Sequence, residues 1–146
     1  GINIATVLER KDRDGVWANA IVKDVTSNVN PQLTPLIFDQ DDQTGWSTER
    51  FQQKGDYLLF ELKDSIRLYG ISILSGTGKY EYPQDLQIEG SENGVDWDIL
   101  PLTYQTHSDY AFSPADVRFM KLILRQDSEE NAWTVNNVLF HVTSNQ

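Results

Sequence analysis

A short acidic turn at residues 38–46 is the part of the sequence best suited to bind a metal ion. It combines three carboxylates with a hydroxyl, in the order Asp39, Asp41, Asp42 and Thr44. Calcium takes about six to eight oxygen ligands, and one ion would relieve the repulsion among acids this close. The spacing differs from the EF-hand pattern, because no Glu follows at the twelfth position. The residues alone fit a calcium-binding turn and a solvated acidic turn equally well.

The sequence holds little that could support catalysis. Its two histidines are His107, in a Thr-His-Ser-Asp turn, and His141, within an apolar strand pattern, and neither lies in a recognisable nucleophile motif. A retaining glycosidase needs two carboxyl groups about 5–5.5 Å apart. With 22 acidic residues, some pair would be close by chance. We therefore expect a non-catalytic protein.

Length and charge restrict the classes of partner. The 146 residues fit one domain with a single core. A formal net charge of -10 disfavours nucleic acid and anionic membranes, because both are bound through basic surfaces. Without cysteine, the chain has neither disulfides nor thiolate metal sites. No segment has the pattern of a signal peptide or of a membrane span.

Short apolar segments separated by turn residues predict an all-β fold. Several alternate with period two, and Gly, Pro, Asn and Asp fall in the breaks between them. The predicted strands are 57–62, 66–74, 85–90, 119–124 and 135–142. Because no long stretch has helical spacing, we expect an antiparallel sandwich or barrel. Trp46 and Trp97 are predicted to be core residues. Residues 1–20 are predicted to be an extension or linker that packs on a domain at 21–146.

Five segments are more informative as an ordered set than singly. They are 38–46, 57–62, 90–97, 117–122 and 131–138. Together they resemble the coagulation factor 5/8 type C, or discoidin, superfamily, with family 32 carbohydrate-binding modules as the nearest branch. The resemblance implies a galactose-binding-domain-like β-sandwich of jelly-roll topology. It also implies a non-catalytic module, often appended to an extracellular bacterial glycoside hydrolase, that is monomeric as an isolated domain and works outside the cell or at its surface.

The resemblance implies that the acidic turn holds a structural calcium ion. Carried over by position, the ligands are the Asp39 carboxylate, the Thr44 hydroxyl and carbonyl, backbone carbonyls near Leu36 and Asp41, and the side chain of Asn137. The family usually has Glu at the position of Asn137. An amide oxygen still ligates calcium, but the site loses one formal charge. Gln40 likewise stands where the family commonly has glycine.

The resemblance also implies a sugar site on loops at one end of the sandwich, with an aromatic ring under the apolar face of the sugar. Trp133, in the polar loop before the last strand, matches that position, and Asn131 offers a donor and an acceptor. An alternative is that Trp133 folds back over the sandwich edge. Two other loops supply further candidate contacts, which are Glu49, Arg50, Lys79 and Tyr80.

The implied partner is a glycan that ends in galactose or an N-acetylhexosamine. The sugar itself stays open, because the His and Arg of galactose-binding members have no unambiguous counterpart here. The same superfamily offers an alternative, an adhesion domain that binds a protein or membrane through protruding apolar tips such as Phe51 and Trp133. An acidic surface disfavours anionic membranes, whereas protein adhesion stays open.

Overall fold

The computed structural model describes residues 15–76 and 80–143, and in them the chain is built almost entirely of strands. The strands are β1 (Gly15–Trp17), β2 (Val22–Ser27), β3 (Trp46–Ser47), β4 (Tyr57–Leu74), β5 (Leu86–Ser91), β6 (Asp98–Ile99), β7 (Leu102–Gln105), β8 (Asp109–Leu124), β9 (Thr134–Val135) and β10 (Asn137–Val142). A helical turn, α1 (Ala18–Ile21), and a 3₁₀ helix (Pro31–Ile37) precede β3.

The two longest strands, β4 and β8, run through both layers of the sandwich. Their mutual register shifts after Glu61 and again after Leu68, and such irregularities let a paired strand bend. Residues 57–62 of β4 pair with β2, while the adjoining end of β8 pairs with β5. The other end of β4 pairs with β10, and that of β8 with β7. The predicted antiparallel β-sandwich of jelly-roll topology is confirmed.

One hydrophobic core fills the space between the layers. The alternation seen in the sequence is the cause: Leu58, Phe60 and Leu62 of β4 are fully buried, while the residues between them are partly exposed. Across the layers, the rings of Phe60 and Phe140 pack edge to face with centroids 5.9 Å apart. Burial of each such side chain contributes about 1.5–3 kcal/mol.

The sandwich begins before the predicted boundary between residues 20 and 21. Strand β1 pairs antiparallel with β10, with Gly15 opposite His141, and Ala18 in the following helical turn is fully buried. Residues 15–20 are therefore part of the domain. Residues 1–14, the rest of the predicted extension, lie outside the described residues.

A small second sheet connects the acidic turn to the loop before the last strand. In it, Trp46 of β3 pairs with Val135 of β9, and Ser47 pairs with Thr134. Gly45 makes this approach possible, because a Cβ at that position would lie 2.7 Å from both the Val135 carbonyl oxygen and Asn136 Oδ1. Two loops distant in the sequence are thereby held side by side at one end of the sandwich.

Candidate functional site

Trp133 is a core residue, and its predicted role as a sugar platform is wrong. The side chain is fully buried and packs edge to face on Trp46, with ring centroids 5.0 Å apart and an interplanar angle of 88°. The reason is strand alternation: Thr134 faces outward, so Trp133 and Val135 on either side of it face inward. A ring with no exposed face cannot stack on a ligand.

Trp97 shows the opposite error, because the predicted core residue is only partly buried. The Lys121 ammonium lies 4.9 Å from the centroid of its indole ring and 5.7 Å from that of Tyr57. This is a cation–π cluster on the outer face of the sheet. Trp46, in contrast, is fully buried, as predicted.

A groove of about 780 Å³, here named the first groove, lies beside the β3–β9 pair. Its lining residues are Gln43, Gly45, Ser47, Glu49, Arg50, Phe51, Gly76, Glu81, Ala132, Thr134 and Asn136. Phe51 is the aromatic residue among them, and 56% of its surface is exposed. The groove therefore combines an accessible ring with carboxylate, guanidinium, hydroxyl and amide groups, which is the composition of a site for a polar ligand with an apolar face.

Arg50, a predicted sugar contact, lines the first groove, but three of its N–H groups donate within the protein. Its guanidinium donates to both carboxylate oxygens of buried Asp56, at 3.0 and 2.8 Å, and to the Phe51 carbonyl at 2.9 Å. The hydrogen bond to Asp56 raises the pKa of Arg50. Arginine has five N–H donors, so two are left without a partner among the described residues and are free for a ligand.

Glu49 also lines the first groove, and its backbone is strained. It has a φ of 55°, in the left-handed region that side chains other than glycine rarely adopt. The Asn30 amide group helps hold this conformation, since it donates to the Ser47 carbonyl at 2.8 Å and to Glu49 Oε1 at 3.2 Å. Backbone strain of this kind is typical of residues held in place for binding.

Gln52 organises the loops around the site, although no pattern in the sequence predicts this role. Its side chain is buried, donates to the Tyr82 carbonyl at 2.8 Å and accepts from the Gln84 N–H at 3.0 Å. The same amide nitrogen lies 3.1 Å from Asn131 Oδ1. One residue thus connects three loops. A glutamine in the Phe-Gln-Gln context of a loop carries no local pattern that would distinguish it from a solvated side chain.

A second groove, of about 1000 Å³, contains two of the remaining predicted contacts, Tyr80 and Asn131. Tyr80 is 79% exposed. The Asn131 side chain accepts from the Gln52 and Gln84 amides, at 3.1 and 3.2 Å, and donates to the Tyr80 carbonyl. The Asn131 side chain therefore connects the loops to each other, and its hydrogen-bonding groups are used within the protein and not for a ligand. Lys79 lies outside the described residues.

The acidic turn has oxygen donors that suit calcium. The Thr44 hydroxyl lies 2.5 Å from Asp39 Oδ2 and 3.0 Å from the Asp41 carbonyl oxygen, so three hard oxygens converge. Among the described residues, no group of three or more His, Cys, Asp or Glu side chains is placed to hold a metal. A calcium site here would thus depend on hydroxyl and carbonyl oxygens besides the one Asp39 carboxylate.

Hydrogen bonds within the protein hold the rest of the acidic turn. The Asp41 side chain, whose backbone carbonyl is the implied ligand, accepts from the Gln43 N–H at 2.9 Å through its carboxylate and so stabilises the turn itself. The Asn137 amide donates to Asp42 Oδ1 at 2.9 Å, and its oxygen accepts from the Val138 N–H at 2.8 Å. Leu36 is in the 3₁₀ helix that leads into the turn. Asn137 therefore positions the turn through Asp42 in this arrangement.

A fully buried histidine meets a partly buried serine and a partly buried aspartate, but their order is not that of a catalytic triad. Ser72 Oγ donates to Asp109 Oδ1 at 2.6 Å and lies 2.8 Å from His141 Nε2. In a triad the carboxylate orients the imidazole and the imidazole takes the hydroxyl proton. Here the hydroxyl proton is directed to the carboxylate.

Several solved structures with the same fold are carbohydrate-binding modules. The chain matches the CBM32-1 and CBM32-2 domains of Clostridium perfringens ZmpB in complex with GalNAc, with a TM-score of 0.73 and 14% identity. The match covers 94% of this chain and 38% of the ZmpB chain. It also matches CpGH89CBM32-5 from the same organism, in complex with GalNAc-β-1,3-galactose, with a TM-score of 0.63 and 12% identity. This match covers 90% of this chain and 98% of that module. The CBM32 of AlyQ, in complex with 4,5-unsaturated mannuronic acid, matches with a TM-score of 0.63 and 14% identity. That match covers 82% of this chain and 94% of the AlyQ module.

No sequence-family model and no curated protein sequence matches the chain. The chain spans well under half of the ZmpB domains. Its fold is that of the family 32 carbohydrate-binding modules. In the parts of the chain that are described, no helix combines the length and the apolar character needed to cross a bilayer.

Proposed function

We propose that this chain is a non-catalytic carbohydrate-binding module that binds neutral glycans ending in galactose or an N-acetylhexosamine in the first groove. The exposed ring of Phe51 carries this proposal, because it lies among hydrogen-bonding groups on loops that the fold holds side by side. GalNAc in two of the modules with this fold supports the class of sugar. Phe51 thus takes the role that the resemblance gave to Trp133.

The roles of the groove residues follow from their chemistry. Phe51 offers an apolar face against which the C–H face of a pyranose can pack, at low cost in side-chain entropy. The Glu49 carboxylate accepts hydrogen bonds from sugar hydroxyls, and the two free N–H groups of Arg50 donate to them. Such a site is shallow, so we expect about −4 to −6 kcal/mol of binding free energy, a Kd in the millimolar to high-micromolar range.

The charge of the groove favours neutral over acidic sugars. Glu49 and Glu81 line it, and the one described cation in the lining, Arg50, is already neutralised by Asp56. A uronate or sialate carboxyl group would meet an excess of negative charge. Binding of a mannuronic acid derivative therefore remains a property of the AlyQ module and is not carried over to this chain.

Substitution of Phe51 tests the proposal. We expect Phe51→Ala to raise the Kd for galactose or N-acetylgalactosamine at least about tenfold, about 1.4 kcal/mol, in titration calorimetry. Phe51→Tyr keeps the ring and should bind within about threefold of the original protein. Ile99→Ala, a change at an exposed residue outside the groove, is the control for non-specific effects. No binding of any neutral monosaccharide, or unchanged affinity in Phe51→Ala, would refute the proposal.

We also propose that the acidic turn binds a structural calcium ion. The Asp39 carboxylate, the Thr44 hydroxyl and the Asp41 carbonyl would hold it, and the ion would fix the turn that leads into β3. Ligands that bind only the folded state stabilise it, so chelation should lower the Tm by about 5 °C or more. Asp39→Ala should abolish this response, whereas Asp24→Ala, on an exposed position of β2, should keep it. A Tm that chelator and added calcium leave unchanged would contradict the calcium site.

The wider setting is proposed from the fold alone. We place the module outside the cell or at its surface, as part of a larger multidomain protein such as a bacterial glycoside hydrolase, and as a monomer when isolated. One of the modules with this fold comes from a family 31 glycoside hydrolase of Clostridium perfringens, which is the kind of parent protein expected.

A further inference from the structure

The two grooves share a wall. The segments 80–84 and 130–134 form a ridge between them, in which the Glu81 carbonyl accepts from the Thr134 N–H at 3.0 Å and the Thr134 hydroxyl donates to the Glu81 carboxylate. Glu81 lines both grooves. A ligand that leaves the first groove over Glu81 therefore enters the second one directly.

Besides buried Tyr110, three accessible rings line the second groove. Tyr82 and His107 are stacked, with centroids 5.5 Å apart and an interplanar angle of 30°. Tyr80, which is almost fully exposed, lies with its ring centroid 6.3 Å from that of Tyr82. Clustered aromatic rings that the core does not use are a surface suited to stack on flat apolar faces such as those of sugar rings.

Hydrogen bonds hold the backbone that carries two of the rings, Tyr82 and His107. The Tyr82 carbonyl accepts from buried Gln52 at 2.8 Å, and the His107 carbonyl accepts from the hydroxyl of buried Tyr110 at 3.0 Å. A site arranged in advance loses less entropy on binding than one that must be ordered.

Polar groups of the second groove suit an uncharged ligand with many hydroxyls. Gln105 offers an amide that can donate and accept, the amide oxygen of Gln84 can accept, and the hydroxyl of Thr106 can donate. Glu81 and Glu130 are the acids of the lining, and its described residues include no lysine or arginine. An acidic glycan would be repelled.

We propose that the second groove is a further sugar subsite, so that the module binds a neutral oligosaccharide that extends from the first groove across Glu81 onto Tyr80, Tyr82 and His107. This inference rests on the proposed function of the first groove. Two weak contacts made by one ligand reinforce each other, because the second contact forms at a high effective concentration. Affinity should therefore grow with the length of the glycan.

Titration of a length series tests the proposal. The probes are methyl β-galactoside, N-acetylgalactosamine and neutral galacto-oligosaccharides of increasing length, with an oligogalacturonate series as the acidic counterpart. We expect the Kd to fall at least about tenfold from monosaccharide to tetrasaccharide. His107→Ala should remove this gain and leave the monosaccharide Kd within about twofold. Tyr80→Ala should remove it as well, and Tyr80→Phe, which keeps the ring, should retain it.

The outcomes separate the two grooves. If monosaccharides bind but affinity does not grow with length, or if the gain survives in both His107→Ala and Tyr80→Ala, the second subsite is refuted and the first groove stands. If only the longer glycans bind and His107→Ala abolishes their binding, the second subsite is supported and the role of the first groove is refuted. Binding of none of the neutral probes refutes both, and a preference for the oligogalacturonates refutes the neutral ligand class.

Discussion

The turn that carries Asp39 contains one residue in an unfavourable conformation. Gln40 has a φ of 65°, where a side chain costs about 1 kcal/mol and glycine costs little. We expect Gln40→Gly to raise the free energy of unfolding by about 0.5–1 kcal/mol in denaturant titration. Glycine is therefore more favourable than glutamine for the backbone conformation at this position.

Gln43 is the matched control for that substitution. It belongs to the same exposed turn, but it is not among the residues with a positive φ. Gln43→Gly only adds freedom to the unfolded chain, so it should lower stability by a few tenths of a kcal/mol to about 1 kcal/mol. Equal effects of the two substitutions would show that backbone strain at Gln40 contributes nothing.

Tyr110 makes stability depend on alkaline pH. Burial, together with nearby Asp109, raises the pKa of this phenol well above its ordinary value. The unfolded phenol ionises at about pH 10, so the contribution of neutral Tyr110 is complete below that pH and is lost as the pH rises towards the folded pKa. Tyr110→Phe should therefore give a shallower fall of unfolding free energy between about pH 10 and 12. If the unfolding free energy of Tyr110→Phe fell as steeply at alkaline pH as that of the original protein, this role of Tyr110 would be contradicted.

At single residues, the tryptophans mark what the sequence could and could not predict. Trp46 is in the core, as the sequence predicts, whereas Trp133 is buried against the prediction and Trp97, a predicted core residue, is only partly buried. Polar neighbours suggested that Trp133 is exposed, yet the pairing of β9 with β3 turns it inward. The alternation of Trp133, Thr134 and Val135 held that information, but a two-residue strand is too short for it to be recognised from the sequence.

At the level of elements, the long strands were predictable and the loops between them were not. Alternation within β4, β5 and β10 is a local property, and the structure has strands there. The predicted strands 57–62 and 66–74 form the single strand β4, however, and the predicted strand 119–124 is only the end of β8. The loops owe their shape to side-chain contacts between distant residues, such as those of Gln52 with Tyr82 and Ala132. Which surface residues share a groove therefore depends on tertiary contacts that a single sequence does not display.

Gln52 supplies the test of this view at the level of elements. Gln52→Leu would leave the Tyr82 carbonyl and the Gln84 N–H without their partner inside the protein, at about 1–3 kcal/mol each. We expect a loss of about 2–4 kcal/mol of stability and weaker glycan binding even at temperatures where the protein stays folded. Gln53→Leu, at the exposed neighbouring residue, should change stability by no more than about 0.5 kcal/mol. Similar losses in the two variants would argue against a role for Gln52 in organising the loops.

For the whole molecule, the formal charge of -10 favours a glycan-binding module over a domain that binds anionic membranes. A neutral sugar interacts through stacking and hydrogen bonds, so its Kd should change less than about twofold between 0.01 and 0.5 M salt. A polyanion is repelled most at low salt, where the Debye length is about 30 Å, and less when screening shortens it. We therefore expect oligogalacturonate binding to be weakest at low salt and anionic vesicles not to sediment the protein. If anionic vesicles sediment the protein and the titrations detect no glycan binding, a surface-adhesion domain is favoured. Only an attraction stronger than the electrostatic repulsion could hold so acidic a protein on an anionic bilayer.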